Sequence, residues 1–138
     1  MTTEENKAIV RRWFEEVWNQ RNLAAIDALA AESFTLHHFA LPSATDLQTY
    51  KQYHPAFMAA FPDFRIEIDD IIAEGDRVAV RVTQRATHQG QFMGIPPTGK
   101  QVVQRGLTIY RVEGGKLVEA WAAETSWRQT LTDLAASS

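Results

Sequence analysis

Four histidines, at positions 37, 38, 54 and 88, are the side chains of this sequence best suited to binding a metal or moving protons. Their spacing does not favour a metal, because no pair has the i, i+4 separation of a helical zinc-hydrolase motif. His37 and His38 are neighbours in a predicted strand, so their side chains point to opposite faces. The chain has no cysteine, which removes thiolate catalysis and cysteine-ligated metals. We therefore predict that the chain has no metal site.

The segment GIPPTGK, residues 94–100, has the glycine and lysine spacing of a phosphate-binding loop. That motif needs a serine or threonine after the lysine to hold magnesium, and Gln101 occupies this position. Pro96 and Pro97 also remove backbone N–H groups from the cradle that would bind a phosphate. The segment joins two predicted strands, whereas a phosphate loop leads from a strand into a helix. We predict a loop that covers one end of a cavity.

Helical periodicity marks the elements that precede these residues. Thr2 and Glu5 match a capping box, and apolar residues then recur at helical spacing as far as Trp18. Asn22 can cap a short second helix in which Leu23 is the first of three residues expected to face inward. The sequence therefore predicts a long amphipathic first helix and a short second one.

A short strand and a third helix complete the first half of the chain. Residues 34–39 alternate apolar and polar side chains and predict the strand. The third helix carries apolar residues from Tyr50 to Phe61 and is interrupted by Pro55, which lacks a backbone donor. Pro62 is expected to end it.

Three turn signals rich in glycine, proline and aspartate divide the second half of the chain into four strands. The strands are predicted at residues 65–73, 77–89, 101–112 and 116–125, with a closing helix at 127–134. Successive strands joined by short turns predict an antiparallel meander. A long, twisted sheet that curls around helices leaves a cavity on its concave face, which is a common place for a small-molecule site.

Composition places limits on the class of protein. The 138 residues predict a single domain, 1–138, with 45% hydrophobic content and a mean hydropathy of -0.28. No apolar run approaches the ~18 residues of a membrane span. A net charge of -3 gives no electrostatic footprint for nucleic acid. The acidic N-terminus has no secretion signal, so we expect a cytoplasmic protein with no nucleic-acid or membrane partner.

Three segments carry a resemblance to a known family: FPDF at 61–64, THQGQFMGIPPTGK at 87–100 and IYRVEGGKLVEAW at 109–121. The chain resembles the SnoaL-like polyketide cyclases, which belong to the NTF2-like superfamily. The resemblance implies an α+β fold, a cone-shaped barrel in which a strongly curved antiparallel sheet wraps around N-terminal helices. It also implies an intramolecular aldol ring closure of a polyketide ester, without a metal or an organic cofactor.

The resemblance directs attention to the end of the last strand. In the family, the tryptophan matching Trp121 is followed four residues later by an acidic residue that acts as general acid/base, and here that position is Thr125. A threonine hydroxyl is too weak a base for a carbon-bound proton. Strand alternation places Glu124 on the face opposite Trp121, so it could take over as base only if a β-bulge re-aims it. His37, which aligns with a family histidine, is the second candidate base and is expected to face the cavity in preference to His38.

Further site residues follow from the resemblance and from strand alternation. Trp121, Gln104 and His88 are candidates for polarising substrate carbonyls, although His88 could equally be a hydrogen-bonded turn histidine. Thr108 shares the face of Gln104, and Thr125 shares that of Trp121. The expected apolar walls of the cavity are Trp13, Phe14, Phe57, Met58 and Phe61.

The sequence is also compatible with other functions. The same scaffold supports isomerisation, dehydration and epoxide hydrolysis, and Thr125 also suits a non-catalytic protein that binds a small hydrophobic or polyketide-like ligand. The family implies a homodimer or homotetramer. The face opposite Gln104 would form the interface through Val103, Leu107 and Ile109.

Overall fold

The fold is built from four α-helices and a six-stranded sheet in a computed structural model that describes residues 1–136. The last two residues of the predicted domain 1–138 lie outside the described residues. The helices are α1 (Thr3–Arg12), α2 (Ala25–Leu29), α3 (Leu47–Ala60) and α4 (Trp127–Ala136). The strands are β1 (Ala30–His38), β2 (Thr45–Asp46), β3 (Arg65–Glu74), β4 (Arg77–Thr87), β5 (Gln101–Glu113) and β6 (Lys116–Ala123). None of the helices within the described range is long and apolar enough to cross a membrane.

The first helix begins with the predicted capping box. The Glu5 N–H donates to Thr2 Oγ1 at 3.0 Å, and the Thr2 N–H donates to Glu5 Oε1 at 3.0 Å. The helix continues beyond α1 as a π-helical segment, Trp13–Asn19, whose aromatic residues enter the core. The prediction for Leu23 is wrong: α2 begins only at Ala25, and Leu23 is exposed in the turn before it.

Helix α3 is capped at both ends by side chains. The Thr49 N–H donates to Asp46 Oδ1 at 2.8 Å at its start. Arg21 Nη2 donates to the carbonyl of Met58 at 2.6 Å near its end, which satisfies one of the carbonyls that a helix terminus leaves unpaired. Pro55 lies inside the helix, which nevertheless runs on to Ala60.

Strands β3 to β6 form the predicted antiparallel meander, and two further strands extend it. The strand order is β2-β1-β6-β5-β4-β3, with β1 parallel to β6 and the other pairs antiparallel. The sheet curves around the helices without closing into a barrel, because β2 and β3 occupy its two edges and do not pair. The parallel β1–β6 pair was not expected, and it places His38 opposite Ala122.

An extra residue in β6 decides which of its side chains face the helices. Leu117 pairs with Val112 and Glu119 pairs with the next residue of β5, Arg111, so Val118 has no partner of its own. This is the geometry of a β-bulge, which reverses the alternation of the residues that follow. Leu117 points inward before the bulge, and Ala120 and Ala122 point inward after it. Glu124 continues the inward series.

Glycine at position 90 lets the chain pass closely over the end of α3. The N–H groups of Gln89 and Gly90 both donate to the carbonyl of Ala60, at 3.0 and 3.1 Å. A Cβ atom on Gly90 would lie 2.8 Å from the Ala59 carbonyl oxygen, a backbone atom that cannot swing aside.

We predict that Gly90→Ala lowers the free energy of unfolding by about 3 kcal/mol, because the added methyl group overpacks against backbone. Gly94→Ala is the matched control: its φ of +81° is strained for alanine, but nothing lies within 4 Å of the new methyl group. We expect the control to lose about 1 kcal/mol. Urea denaturation measures both, and an equal loss in the two variants would contradict the steric explanation.

Candidate active site

A cavity of about 550 Å³ lies between the concave face of the sheet and the helices. Its volume is within the range of small-molecule sites, and most of its wall is aromatic or aliphatic. Trp13, Phe14 and Phe57 line it as predicted, and Thr108 contributes a hydroxyl from β5. Loop residues from Ala40 to Thr45 complete one side of the wall, together with the first turn of α4.

Glu124 places a carboxylate in this apolar cavity. Its Oε2 accepts a hydrogen bond from Gln84 Nε2 at 2.6 Å, and its side chain is 16% exposed. Gln84 Oε1 in turn accepts from Trp127 Nε1 at 3.3 Å. The carboxylate lies over Gly106, where a Cβ atom would be only 2.6 Å from Oε2. Trp121 and Glu124 lie on opposite faces, as regular alternation predicts, and the bulge at Val118 decides that Glu124 is the one that faces the cavity.

His38 faces the same carboxylate from β1. The Ala40 N–H donates to His38 Nδ1 at 3.1 Å, so a neutral ring carries its hydrogen on Nε2. Nε2 lies 3.6 Å from Glu124 Oε1, and the His38 side chain is 11% exposed. That separation is too long for a strong hydrogen bond, so the Nε2 hydrogen is available to a ligand. The site therefore offers a hydrogen-bond acceptor and a donor side by side.

Three tyrosines of the cavity wall, of which Tyr50 and Tyr110 are buried and Tyr53 is half-buried, add neutral polar groups to the site. Burial raises the pKa of Tyr50, Tyr53 and Tyr110, and the negative charge of Glu124 raises each further. Their hydroxyls therefore stay protonated at neutral pH. Trp18 Nε1 donates to the Tyr50 hydroxyl oxygen at 3.1 Å, which leaves the Tyr50 hydrogen free to point elsewhere.

His37 and Trp121 lie on the opposite, convex face of the sheet, so the prediction that they face the cavity is wrong. His37 Nε2 is 2.7 Å from Glu119 Oε2, and its ring stacks on Trp121 with centroids 5.7 Å apart. Arg77 covers Trp121 at 5.0 Å. The hydrogen bond from His37 holds the pKa of Glu119 below its usual value. For Trp121 the physical reason is the bulge at Val118, which reverses the face of the β6 residues that follow it. His37 points away because Phe34, Leu36 and His38 alternate toward the cavity.

Gln104 and Thr125 meet each other rather than a ligand. Gln104 Nε2 donates to the carbonyl of Thr125 at 2.6 Å, and Gln104 Oε1 accepts from Thr130 Oγ1 at 2.7 Å. Gln104 is buried on the concave face as predicted, but both ends of its amide fasten the chain where it turns into α4. Neither residue lines the main cavity.

His88, Met58 and Phe61 also lie outside the cavity wall. The Thr98 N–H donates to His88 Nδ1 at 3.2 Å, and the ring packs against Phe61 at 5.5 Å. His88 is therefore the hydrogen-bonded turn histidine that was one of its two interpretations. Burial lowers the pKa of His88, so its ring stays neutral.

Gln84, His38 and Trp127 were not predicted as site residues. Gln84 carried a readable signal, because it interrupts the inward apolar series Val78, Val80 and Val82 with a polar side chain. A polar residue at a buried strand position requires a hydrogen-bond partner, and Glu124 and Trp127 provide two. His38 carried a signal as well, because it continues the alternating face of Phe34 and Leu36, and all three residues line the cavity.

The SnoaL-like polyketide cyclase family model matches residues 8–127. A curated protein of Aspergillus carbonarius (strain ITEM 5010), named probable cyclase otaY, is 39% identical over 62 residues. The aligned region covers 45% of this chain and 50% of that protein, so the match spans about half the length of the curated relative.

Solved structures give the same fold over nearly the whole chain. AclR of Streptomyces galilaeus, a proposed hydroxylase, is 31% identical with a TM-score of 0.83, covering 97% of this chain and 83% of AclR. A proposed polyketide cyclase of Acidithiobacillus ferrooxidans is 31% identical with a TM-score of 0.79, covering 96% and 99%. IdmH of Streptomyces antibioticus, also a proposed polyketide cyclase, is 27% identical with a TM-score of 0.77, covering 95% and 98%. Their names include a hydroxylase beside cyclases, so the fold alone does not fix the reaction.

The two faces of β6 can be tested at adjacent alanines. We predict that Ala122→Met, which fills the cavity floor, weakens binding of the bicyclic ketone 2-tetralone at least tenfold, a loss of about 1.4 kcal/mol. Ala123→Met adds the same side chain to the exposed face and should leave the affinity unchanged. Isothermal titration calorimetry measures both, and a reversed pattern would contradict the placement of the bulge.

Proposed function

This chain belongs to the SnoaL-like polyketide cyclase family, and on that premise we propose that it closes a ring in a polyketide ester by an intramolecular aldol reaction. The observation that carries the proposal is the carboxylate of Glu124, held by Gln84 in an apolar cavity with the Nε2 of His38 3.6 Å away. An enolising enzyme needs this pair of functions: a base beside the C–H bond and a donor beside the carbonyl oxygen.

The reaction balances without a further reactant. Glu124 removes a proton from the carbon between two carbonyl groups, and the electron pair of that C–H bond forms the enolate. The enolate carbon attacks a second carbonyl carbon of the same molecule, forming the C–C bond, and the π electrons of that carbonyl move to its oxygen. The protonated Glu124 returns the proton to the new alkoxide, so a β-hydroxy ketone forms and the carboxylate is regenerated.

The remaining residues act by position and by electrostatics. His38 donates its Nε2 hydrogen to the oxygen on which negative charge develops, which lowers the barrier most in a site that excludes water. The aromatic walls from Trp13, Phe14 and Phe57 hold the chain folded, so that the two reacting carbons meet. Because an extended polyketide already acidifies its own C–H bonds, these contributions suffice without a metal or an organic cofactor.

We predict that the protein accelerates exchange of the α-hydrogens of 2-tetralone with D₂O, and that Glu124→Gln lowers kcat at least 100-fold by removing the base. Glu119→Gln is the matched control, because Glu119 lies in β6, the strand that leads to Glu124, but on the convex face. Proton NMR follows the loss of the α-hydrogen signals. A wild-type protein that binds 2-tetralone without accelerating exchange would contradict the cyclase proposal and favour the alternative of a small-molecule binding protein.

We also propose that the convex face pairs with a second copy of the chain. Val103, Leu107 and Ile109 are 49%, 57% and 42% exposed there, an unusual density of apolar side chains for a single strand. The charges beside them are complementary: Glu67 and Glu74 lie on the edge strand β3, whereas Arg85 and Arg105 lie on β4 and β5. A twofold axis over β5 would bring the acidic edge of one copy toward the basic strands of the other.

The expected result is a dimer at micromolar concentration in sedimentation equilibrium, and dissociation by Leu107→Glu, which buries a charge in the interface. Leu41→Glu changes another exposed leucine, 45% exposed in the loop before β2, and should leave the dimer intact. A monomeric wild-type protein at micromolar concentration would refute this proposal without affecting the proposed reaction.

A further inference from the structure

Trp127 fixes the orientation of the Gln84 amide. An indole N–H can only donate, so the oxygen of the amide must face Trp127 Nε1, as it does at 3.3 Å. The amide nitrogen is then directed to the other side, where it donates to Glu124 Oε2 at 2.6 Å. Gln84 and Trp127 are 7% and 6% exposed, so water does not compete for either hydrogen bond. The two hydrogen bonds therefore run in one direction: Trp127 donates to Gln84, and Gln84 donates to Glu124.

We propose that Trp127 and Gln84 are positioning residues that select which oxygen of Glu124 acts as the base. This inference rests on the proposed function. Oε2 is engaged by the Gln84 amide, so Oε1 is the oxygen left to take the substrate proton. Oε1 is also the oxygen that lies 3.6 Å from His38 Nε2, so the proton acceptor and the carbonyl donor are adjacent.

Glycine at position 106 lets the carboxylate lie against the backbone of β5. A Cβ atom at residue 106 would lie 2.6 Å from Glu124 Oε2 and 3.1 Å from Glu124 Cβ, so the carboxylate rests directly on the backbone of β5. The backbone of β5 lies below the carboxylate, and the Gln84 amide lies beside it. A base restrained in this way loses little entropy when it meets a substrate.

Kinetics of 2-tetralone exchange test the role of Gln84. Gln84→Met keeps the size of the side chain but removes the donor, and we expect kcat to fall on the order of 10- to 100-fold with KM changed less than about twofold. Thr83→Val is the matched control. It removes a hydrogen bond of 2.6 Å to Asp69 from the next residue of the same strand, on the opposite face, and should leave kcat unchanged. A Gln84→Met protein with wild-type kcat would overturn the inference.

Nuclear magnetic resonance tests the direction of these two hydrogen bonds independently of activity. In the wild-type protein, one hydrogen of the Gln84 side-chain amide should resonate downfield, because it is bonded to a carboxylate. Glu124→Gln should remove this shift, and Trp127→Phe should weaken it by freeing the amide to rotate. A Gln84 signal unaffected by Trp127→Phe overturns the positioning role alone, whereas absence of exchange in the wild-type protein overturns the proposed function and the inference together.

Discussion

A single carboxylate in an apolar cavity is the constraint on which the site depends. A charge removed from water is costly unless hydrogen bonds replace the lost solvation. Gln84 supplies one such bond to Glu124 at 2.6 Å, and glycine at position 106 provides the space in which the carboxylate lies. The two features come from neighbouring strands in register, because Gly106 pairs with Val82, and Gln84 is the next residue of β4 on the same concave face. The concave face of the sheet therefore supplies both a hydrogen-bond donor and the space for the Glu124 carboxylate.

One extra residue in β6 explains why only part of the site could be predicted from the sequence. Regular alternation from the buried Leu117 would turn Glu124 outward and Trp121 inward. The bulge at Val118 exchanges them, which explains the error for Trp121. Leu117 and Val118 are both apolar, and their types do not mark which is the extra residue. Only the pairing with β5 shows it, and that pairing is a property of the folded sheet.

Features that depend on local sequence were predicted well, whereas those that depend on distant pairing were not. The capping box at Thr2 and the helical period that places Trp13 and Phe14 on the cavity are local patterns, as are the glycine-rich turns of the meander. The parallel pairing of β1 with β6 joins segments about eighty residues apart, so no local pattern contains it. The choice between two adjacent histidines was wrong for another reason: strand alternation groups His38 with Phe34 and Leu36, which line the cavity, whereas the resemblance favoured His37.

The last helix connects closure of the cavity with its chemistry. Gln84 and Gln104 face each other across β4 and β5, and each contacts the segment that leads into α4. Gln104 holds the carbonyl of Thr125 and the hydroxyl of Thr130, so it fastens the helix to the sheet. Gln84 is held by Trp127 and holds Glu124, so its orientation depends on the helix being in place. The restrained position of the carboxylate therefore depends on the packing of α4 against the sheet, and a base held in place in an apolar site is an effective one.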